Sequence, residues 1–555
     1  MGSNTLPISF ANPKHPDYPA ESGRPSKSRY DAIIIGGGHN GLICAAYLAR
    51  AGRKVLVLEK RHVLGGAAVS EEVYPGFVYS VCSYVVSLLR PHIIRDLDLP
   101  KHGLEIIPLD CAFTPLPNGD SLARWADGHR TYREVARFSR KDADRLREFS
   151  LEMTRLCRFA KNIIDRPAPD PSSFRPRELA GLLRLGAAMQ RSERETRYQN
   201  LKLLTMSAAD FLDQWFESDV LKAPMSVSGI IGTFLGVRSP GTAYVLLHHY
   251  FGEIDGAFRA WGFAKGGTGM ISLACARSAR SFGAEIRVDA GVEQVELDAS
   301  GAATGVILQN GDVIRAKAIV SAVDPRRTFL GLVGERHLDP DFVGQIKRYK
   351  LRGSSGKVNL ALDRFPDFAC RPGQGPHVQG DIAIAPSIDY LERAYDQAKY
   401  GDFSERPFIN VVFPSLVDPS VAPPGKHVMS CFVQYAPYDI KEGASHWPER
   451  REAFGDAVVD TLAEYCPTLK DSILHRQVLT PWDLEQEFGL SEGNIFHGEL
   501  SVEQLLFLRP AAGWSRYQTP ISNLWMCASG THPGGGIMGS PGELAAKTML
   551  RAGGL

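Results

Sequence analysis

Apolar residues recur along this chain with two different periods. Residues 30–35, "YDAIII", form a nearly unbroken β-branched run, the pattern of a strand buried in a parallel sheet. The next stretch, "LICAAYLARAG", places Leu42, Ala45, Ala46 and Ala49 at helical spacing, and "KVLVLE" then predicts a second strand ending at Glu59. Much later, residues 283–325 alternate as short strands, with Asn310-Gly311 as a two-residue hairpin signal, and return to another apolar run, "AIVSA". Between 357 and 435 the runs "KVNLALD", "FINVVF" and "VMSCFV" predict a second sheet. Segment 140–200 carries its charges at helical spacing, and the chain closes with a strand, a glycine-rich turn ("LWMCASGTHPGGGIMG") and a helix, "ELAAKTMLRA".

The turn between the first strand and helix reads "GGGHNG", so Gly36, Gly38 and Gly41 give G-x-G-x-x-G with His39 and Asn40 inside it. Glycines there allow a tight bend and close backbone approach, and the helix N-terminus offers unpaired N–H groups to a pyrophosphate. Glu59, 18 residues beyond Gly41, is placed to accept hydrogen bonds from ribose hydroxyls. The motif is weak alone; within strand, turn, helix, strand and acid it predicts a dinucleotide site. The stretch after Glu59, "KRHVLGGAAVSEE", resembles the extended fingerprint of glutathione-reductase-type FAD domains. That resemblance implies FAD, held by Gly36, Gly38, His39, Asn40 and Gly41, by Glu59 and Lys60, and by the second loop Gly65, Gly66 and Ala67. It also implies an antiparallel ribbon inserted into the sheet, with Val292 touching the adenine through its backbone; Val292 otherwise reads as a plain strand residue.

The second cluster, Gly534, Gly536 and Gly539, has no strand–helix–strand–acid unit after it, so a second dinucleotide is not expected. A turn that brings a helix N-terminus to a flavin ring is the alternative, with Gly530, Gly536, Ile537 and Met538 as its contacts. "GNIFHGELSVEQLLFLRP" followed by "SGTHPGGGIMG" resembles the carboxyl-terminal signature of phytoene desaturase-type FAD-dependent oxidoreductases, and "GGAAVSEE", "SLLRP" and "WGFAKGG" echo that family in order. The resemblance covers roughly residues 30–550. It implies an α/β fold: a Rossmann FAD domain from 30–90, 262–330 and 505–555, with an interleaved mixed α/β substrate domain from 91–261 and 331–504. It implies dehydrogenation or desaturation of an apolar, isoprenoid or lipid-like substrate. Amine oxidase, flavin-assisted isomerase or saturase, and a flavoprotein that mainly binds a partner stay open. His532 and His497 are the candidate polar groups near the reacting zone, each also readable as a structural histidine. Of His248 and His249, at most one is expected to face a cavity. With no second Rossmann unit for a nicotinamide, the expected electron acceptor is dioxygen, a quinone or a protein.

Composition narrows the picture further. Lys+Arg and Asp+Glu number 63 and 62, so no global field argues for nucleic acid. The nine cysteines include no C-x-x-C pair and none is near another in sequence, which argues against a disulfide scaffold, a sequence-adjacent redox dithiol and a cysteine-rich metal site. Scattered thiols fit a reducing compartment, cytoplasm or mitochondrial matrix. Residues 1–29, rich in proline and serine, read as a flexible arm. No window of about 20 uninterrupted apolar residues predicts a transmembrane helix. "FRPRELAGLLRLGAAMQRSERETR" combines a leucine face with many arginines. It reads as a solvated helix packed on the core, or as one able to lie peripherally on a membrane.

Overall fold

The fold is described from a computed structural model covering residues 17–27, 29–254, 257–258 and 261–553. The first apolar run is strand β1 (Arg29–Ile35), the helix is α1 (His39–Arg50), and β2 (Val55–Leu58) follows. β1 pairs in parallel with β2, with Ile33 opposite Leu56. The later alternating stretch supplies β3 (Glu285–Val288), β4 (Val292–Leu297), β5 (Ala303–Leu308) and β6 (Val313–Ser321). Together with Glu21–Ser22 and Leu524–Met526 they complete an eight-stranded sheet. Its order is Glu21–Ser22, β3, β2, β1, β6, β5, β4, and Leu524–Met526 also pairs with β6. β4 and β5 form the expected antiparallel ribbon, and β6 returns in parallel beside β1. Both faces of β1 and β2 are covered, which is why their residues are apolar throughout. Ala32 and Ile34 pack with α1, and Ile33 and Ile35 with Val295 and Val306 of the ribbon.

The second sheet has seven strands in the order Ile473–Leu479, Ser355–Leu362, His427–Gln434, Phe408–Val412, Asp381–Ile384, Cys111–Pro115, Ser121–Trp125. Only the Asp381 and Cys111 strands run parallel. "KVNLALD", "FINVVF" and "VMSCFV" all lie in its interior, and helices between 128 and 250 cover one end of the molecule.

Two expectations need correction. The arm 1–29 is not free over its described part: Tyr18 is buried with its hydroxyl accepting from the Leu64 amide, and Glu21–Ser22 extends the first sheet beside β3. Residues 1–16 and 28 lie outside the described residues. The boundaries at 91 and 331 also shift. Ile93, Leu97, Leu99 and Leu104 pack into the core of α1, and Phe342 and Ile346 pack against Phe329 and Met526, because apolar faces there meet the first sheet rather than the second. Among the described residues no helix is long and apolar enough to cross a membrane, and no cluster of three or more His, Cys, Asp or Glu could hold a metal ion.

Candidate functional site

The first glycine turn leaves β1 at Gly36, whose φ of +105° lies in the left-handed region that glycine tolerates. Gly41 is forced by space: a Cβ there would lie 2.3 Å from the Gly36 carbonyl oxygen. Gly38 differs, since a Cβ would meet only the Gly65 carbonyl at 3.9 Å, leaving an open cradle. Helix α1 begins there with no side-chain cap and no acid in its first turn, so its first N–H groups remain free for an anion. The two glycine loops predicted to act together do meet. Gly65 N–H donates to the Gly37 carbonyl at 3.0 Å, Gly38 bridges to Gly65, and Gly66 lies against Gly38.

Glu59 organises this cradle. It is buried, and its carboxylate accepts from the amides of Gly37 (2.8 Å) and Arg61 (2.9 Å). Burial raises its pKa, opposed by those two N–H donors. Its backbone carbonyl accepts from Ala290, which brings the strand carrying Val292 to the same corner. Lys60 turns away toward Arg327 and Gly489, and burial lowers its pKa.

A cavity opens from the cradle toward the second sheet. His39, Ala67 and Ala68 line one end, and Ser529, Gly536 and Ile537 of the second glycine turn line its side. The far wall is Tyr84, Val85, Leu88, Ile231, Trp261, Phe432, Ile495 and Phe496, with Cys82, Ser83, Ser87 and His249 as its remaining polar groups. No lining residue is a Lys, Arg, Asp or Glu. Burial lowers the pKa of His39 and of His249 to about 4, so both rings are neutral near pH 7. His39 Nε2 and Asn40 Oδ1 are buried without a partner, as polar atoms awaiting a ligand are. An open glycine cradle, free helix N–H groups, a ribose-side acid and unpaired polar atoms at one place fit FAD.

The structure brings some of the expected residues together and sets others apart. Of the histidine pair, His249 lines the cavity, while His248 Nε2 binds the Gly535 carbonyl at 3.0 Å and steadies the second turn from behind. His532 is not in the cavity. Its Nε2 donates to the Ile163 carbonyl at 3.0 Å, so the ring ties the turn to the end of helix Arg140–Ile164. His497, at φ +55°, is half-buried among Asp324, Arg327 and Arg509 and near His39, while its neighbours Ile495 and Phe496 reach the cavity. Gly530 makes room for the His497 carbonyl. Met538 buries its side chain in the helical core, and its carbonyl accepts from Arg90 N–H. The C-terminal helix starts only at Ser540, and Glu543 stands in its first turn, so its positive end does not follow directly on Gly536.

Three features went unread. Lys357 is fully buried in a strand of buried positions. Its ammonium donates to Asn359 (3.0 Å) and Ser430 and lies 5.6 Å from the centre of the Tyr84 ring. Burial pulls its pKa down to about 8. The signal was a lysine two residues before Asn359 in a strand buried at every position. Arg509, also fully buried, donates to five backbone carbonyls: Phe496, Gly498, Glu499, Gln504 and Ser529. Cys44 of α1 and Cys527, remote in sequence, are hydrogen-bond neighbours, and burial drives the Cys527 thiol well up.

Comparison with known proteins supports a flavin cofactor. A family model described as flavin containing amine oxidoreductase matches residues 41–539. Rat pyridine nucleotide-disulfide oxidoreductase domain-containing protein 2 is 38% identical over 95% of this chain and 94% of its own length. A limonene dehydrogenase chain of Castellaniella defragrans is 28% identical over 95% of each. A lycopene-forming phytoene desaturase of Pseudescherichia vulneris is a more distant 24%, over 93% and 98%. Among solved structures, putrescine oxidase bound to putrescine superposes with a TM-score of 0.56 at 15% identity, over 94% of this chain and 99% of its own.

Proposed function

The chain belongs to the flavin-containing amine oxidoreductases and is an FAD-dependent oxidoreductase; from that premise we propose that it dehydrogenates an apolar, isoprenoid or lipid-like substrate. The observation that carries this reading is the cavity wall, which is aromatic and aliphatic and holds no charged side chain. A cationic amine would need a carboxylate or a ring of carbonyls to replace its water, and burying it here unpaired is costly. An apolar chain gains by leaving water for the same wall. The matches to limonene dehydrogenase and phytoene desaturase, both named for isoprenoid substrates, support the reading.

FAD, when bound, accepts a hydride from a substrate carbon. The protein does the rest. Gly38, the free N–H groups of α1 and the Gly65-Gly66 loop would hold the pyrophosphate of FAD, and Glu59 its ribose. Tyr84 and Phe432, stacked at 5.5 Å, form a wall that positions the substrate and excludes water. A hydride leaving one carbon and a proton leaving its neighbour form the double bond. Of the polar groups that line the cavity, His249, neutral and with its Nδ1 held by the Val245 carbonyl, presents an unpartnered Nε2 and is the group assigned to take that proton. The acceptor that reoxidises the protein is dioxygen, a quinone or a protein.

Anaerobic mixing of FAD-loaded protein with a terpene and fatty-acyl panel, beside an amine panel, tests this. Flavin bleaching by isoprenoids and not by amines is expected; bleaching by amines alone overturns it.

A further inference from the structure

A second cavity, of about 590 Å³, is separate from the flavin cavity and shares no lining residue with it. It lies between helix Pro176–Arg191, the end of helix Arg140–Ile164 and the C-terminal helix Ser540–Ala552. Six cations line it: Arg166, Arg177, Arg184, Arg516, Lys547 and Arg551. The two carboxylates in the lining are already engaged, Asp165 by a two-point pair with Arg90 and Glu543 by His92 and Lys547. Just beneath, the buried Glu178 is shared by Arg177 and Arg516. Among the described residues no carboxylate pairs with Arg166, Arg184 or Arg551. Arg516 Nε is buried without a partner.

We propose that this cavity binds a phosphate-bearing anion. The positive charge exceeds what the local acids neutralise, and a protein gains nothing from gathering like charges around a concave space unless an anion enters it. Five of the six cations are arginines, whose planar forks fit phosphate oxygens two at a time. Glu178 and Pro169 fix the frame: Glu178 accepts from the Asp170 amide, and Gly181 lets the helix lie against Pro169. The ligand can be free in solution or part of a lipid headgroup. The second source is favoured by Phe174 and Leu183 on the same segment, 88% and 75% exposed, which would enter an apolar phase beside the charged site.

The test uses FAD-loaded protein in two arms. Sodium pyrophosphate is titrated calorimetrically, and vesicles of phosphatidylglycerol or phosphatidylcholine are co-sedimented with the protein. Saturable binding in at least one arm is expected, weakened roughly tenfold or more in Arg184→Glu/Arg551→Glu. It should be unchanged in Arg364→Glu/Lys441→Glu, which alters charge equally elsewhere. Pyrophosphate binding without vesicle binding identifies a soluble ligand; binding to phosphatidylglycerol and not phosphatidylcholine vesicles identifies a headgroup. FAD content and circular dichroism check folding, and Arg166→Gln, on a loop, repeats the test if the double variant misfolds. No saturable binding in either arm, or equal loss in the control pair, overturns the proposal.

Discussion

Gly38 and Gly41 stand three residues apart and separate ligand binding from folding. A side chain on Gly41 collides with the Gly36 carbonyl, so Gly41→Val should damage the turn and lower stability with or without FAD. A side chain on Gly38 enters only the open cradle. Gly38→Val should therefore unfold like the wild-type apoprotein yet bind FAD roughly a hundredfold more weakly. Fluorescence titration beside calorimetry checks the pair, and normal FAD affinity in Gly38→Val would displace the pyrophosphate from this turn. Lys357 makes a second residue-scale prediction. Its folded pKa lies near 8 against an ordinary 10.5, so the folded state disfavours the ammonium form. That cost is absent above pH 10.5, grows as pH falls through this window, and is complete below about 8. Lys357→Met should therefore stabilise the protein at pH 7 by roughly 1–3 kcal/mol, less what Asn359 and Ser430 lose with their donor. The gain should vanish in strongly alkaline buffer. Because Lys357 lies outside the cavity lining, the same variant should leave the pH profile of flavin reduction unchanged; loss of an inflection near pH 8 would bring Lys357 into the reaction.

Between elements, Arg509 acts as a pin. One guanidinium joins the 496–504 loop to Ser529 at the head of the second glycine turn, using only backbone carbonyls. Arg509→Met leaves those oxygens buried and unpaired, which should cost more than about 3 kcal/mol and release FAD, because the loop carrying Ile495 and Phe496 loses its anchor. Urea unfolding with FAD fluorescence measures both, and a variant that unfolds like wild type would show the pin to be dispensable. The elements differ in how openly the sequence displays them. Gly36, Gly41, Gly65 and Gly66 were legible because positive φ or close packing demands glycine there, and Gly38 because it completes their spacing while leaving its own space open. Three of the seven strands of the second sheet were legible from their apolar runs, whereas Cys111–Pro115, Ser121–Trp125, Asp381–Ile384 and Ile473–Leu479 were not. The direction of a side chain was not: His532 sits in the expected turn, yet its ring is turned toward Ile163 by a helix far away in sequence. The cavity wall was hidden for the same reason. Tyr84, Ile231, Trp261 and Phe432 come from four separate segments and read individually as ordinary core residues. Cys44 and Cys527 are neighbours only because the last strand returns beside β6.

At the scale of the whole molecule, neither sheet is built from one continuous segment. The chain contributes Glu21–Ser22 and Arg29–Leu58 to the first sheet, Cys111–Trp125 to the second, Glu285–Ser321 to the first, Ser355–Leu479 to the second, and Leu524–Met526 to the first. One sheet cannot unravel alone, because the chain passes repeatedly from each half into the other. The cavity walls come from both halves as well, so FAD and the substrate space exist only when the two are assembled. Two domains of this size would ordinarily be expected to unfold separately. Interleaving instead predicts one cooperative transition, with far-ultraviolet dichroism, tryptophan emission and FAD release changing together. Since FAD binds the assembled state, free FAD at a hundredfold excess over its Kd should add about 2.7 kcal/mol to unfolding. Gly38→Val should not show this increment, while its FAD-free transition should coincide with that of the wild-type apoprotein. Urea titrations followed by all three signals decide the matter. Separate transitions for dichroism and emission, or FAD release well before either, would mean that the halves hold together less tightly than their interleaved strands require.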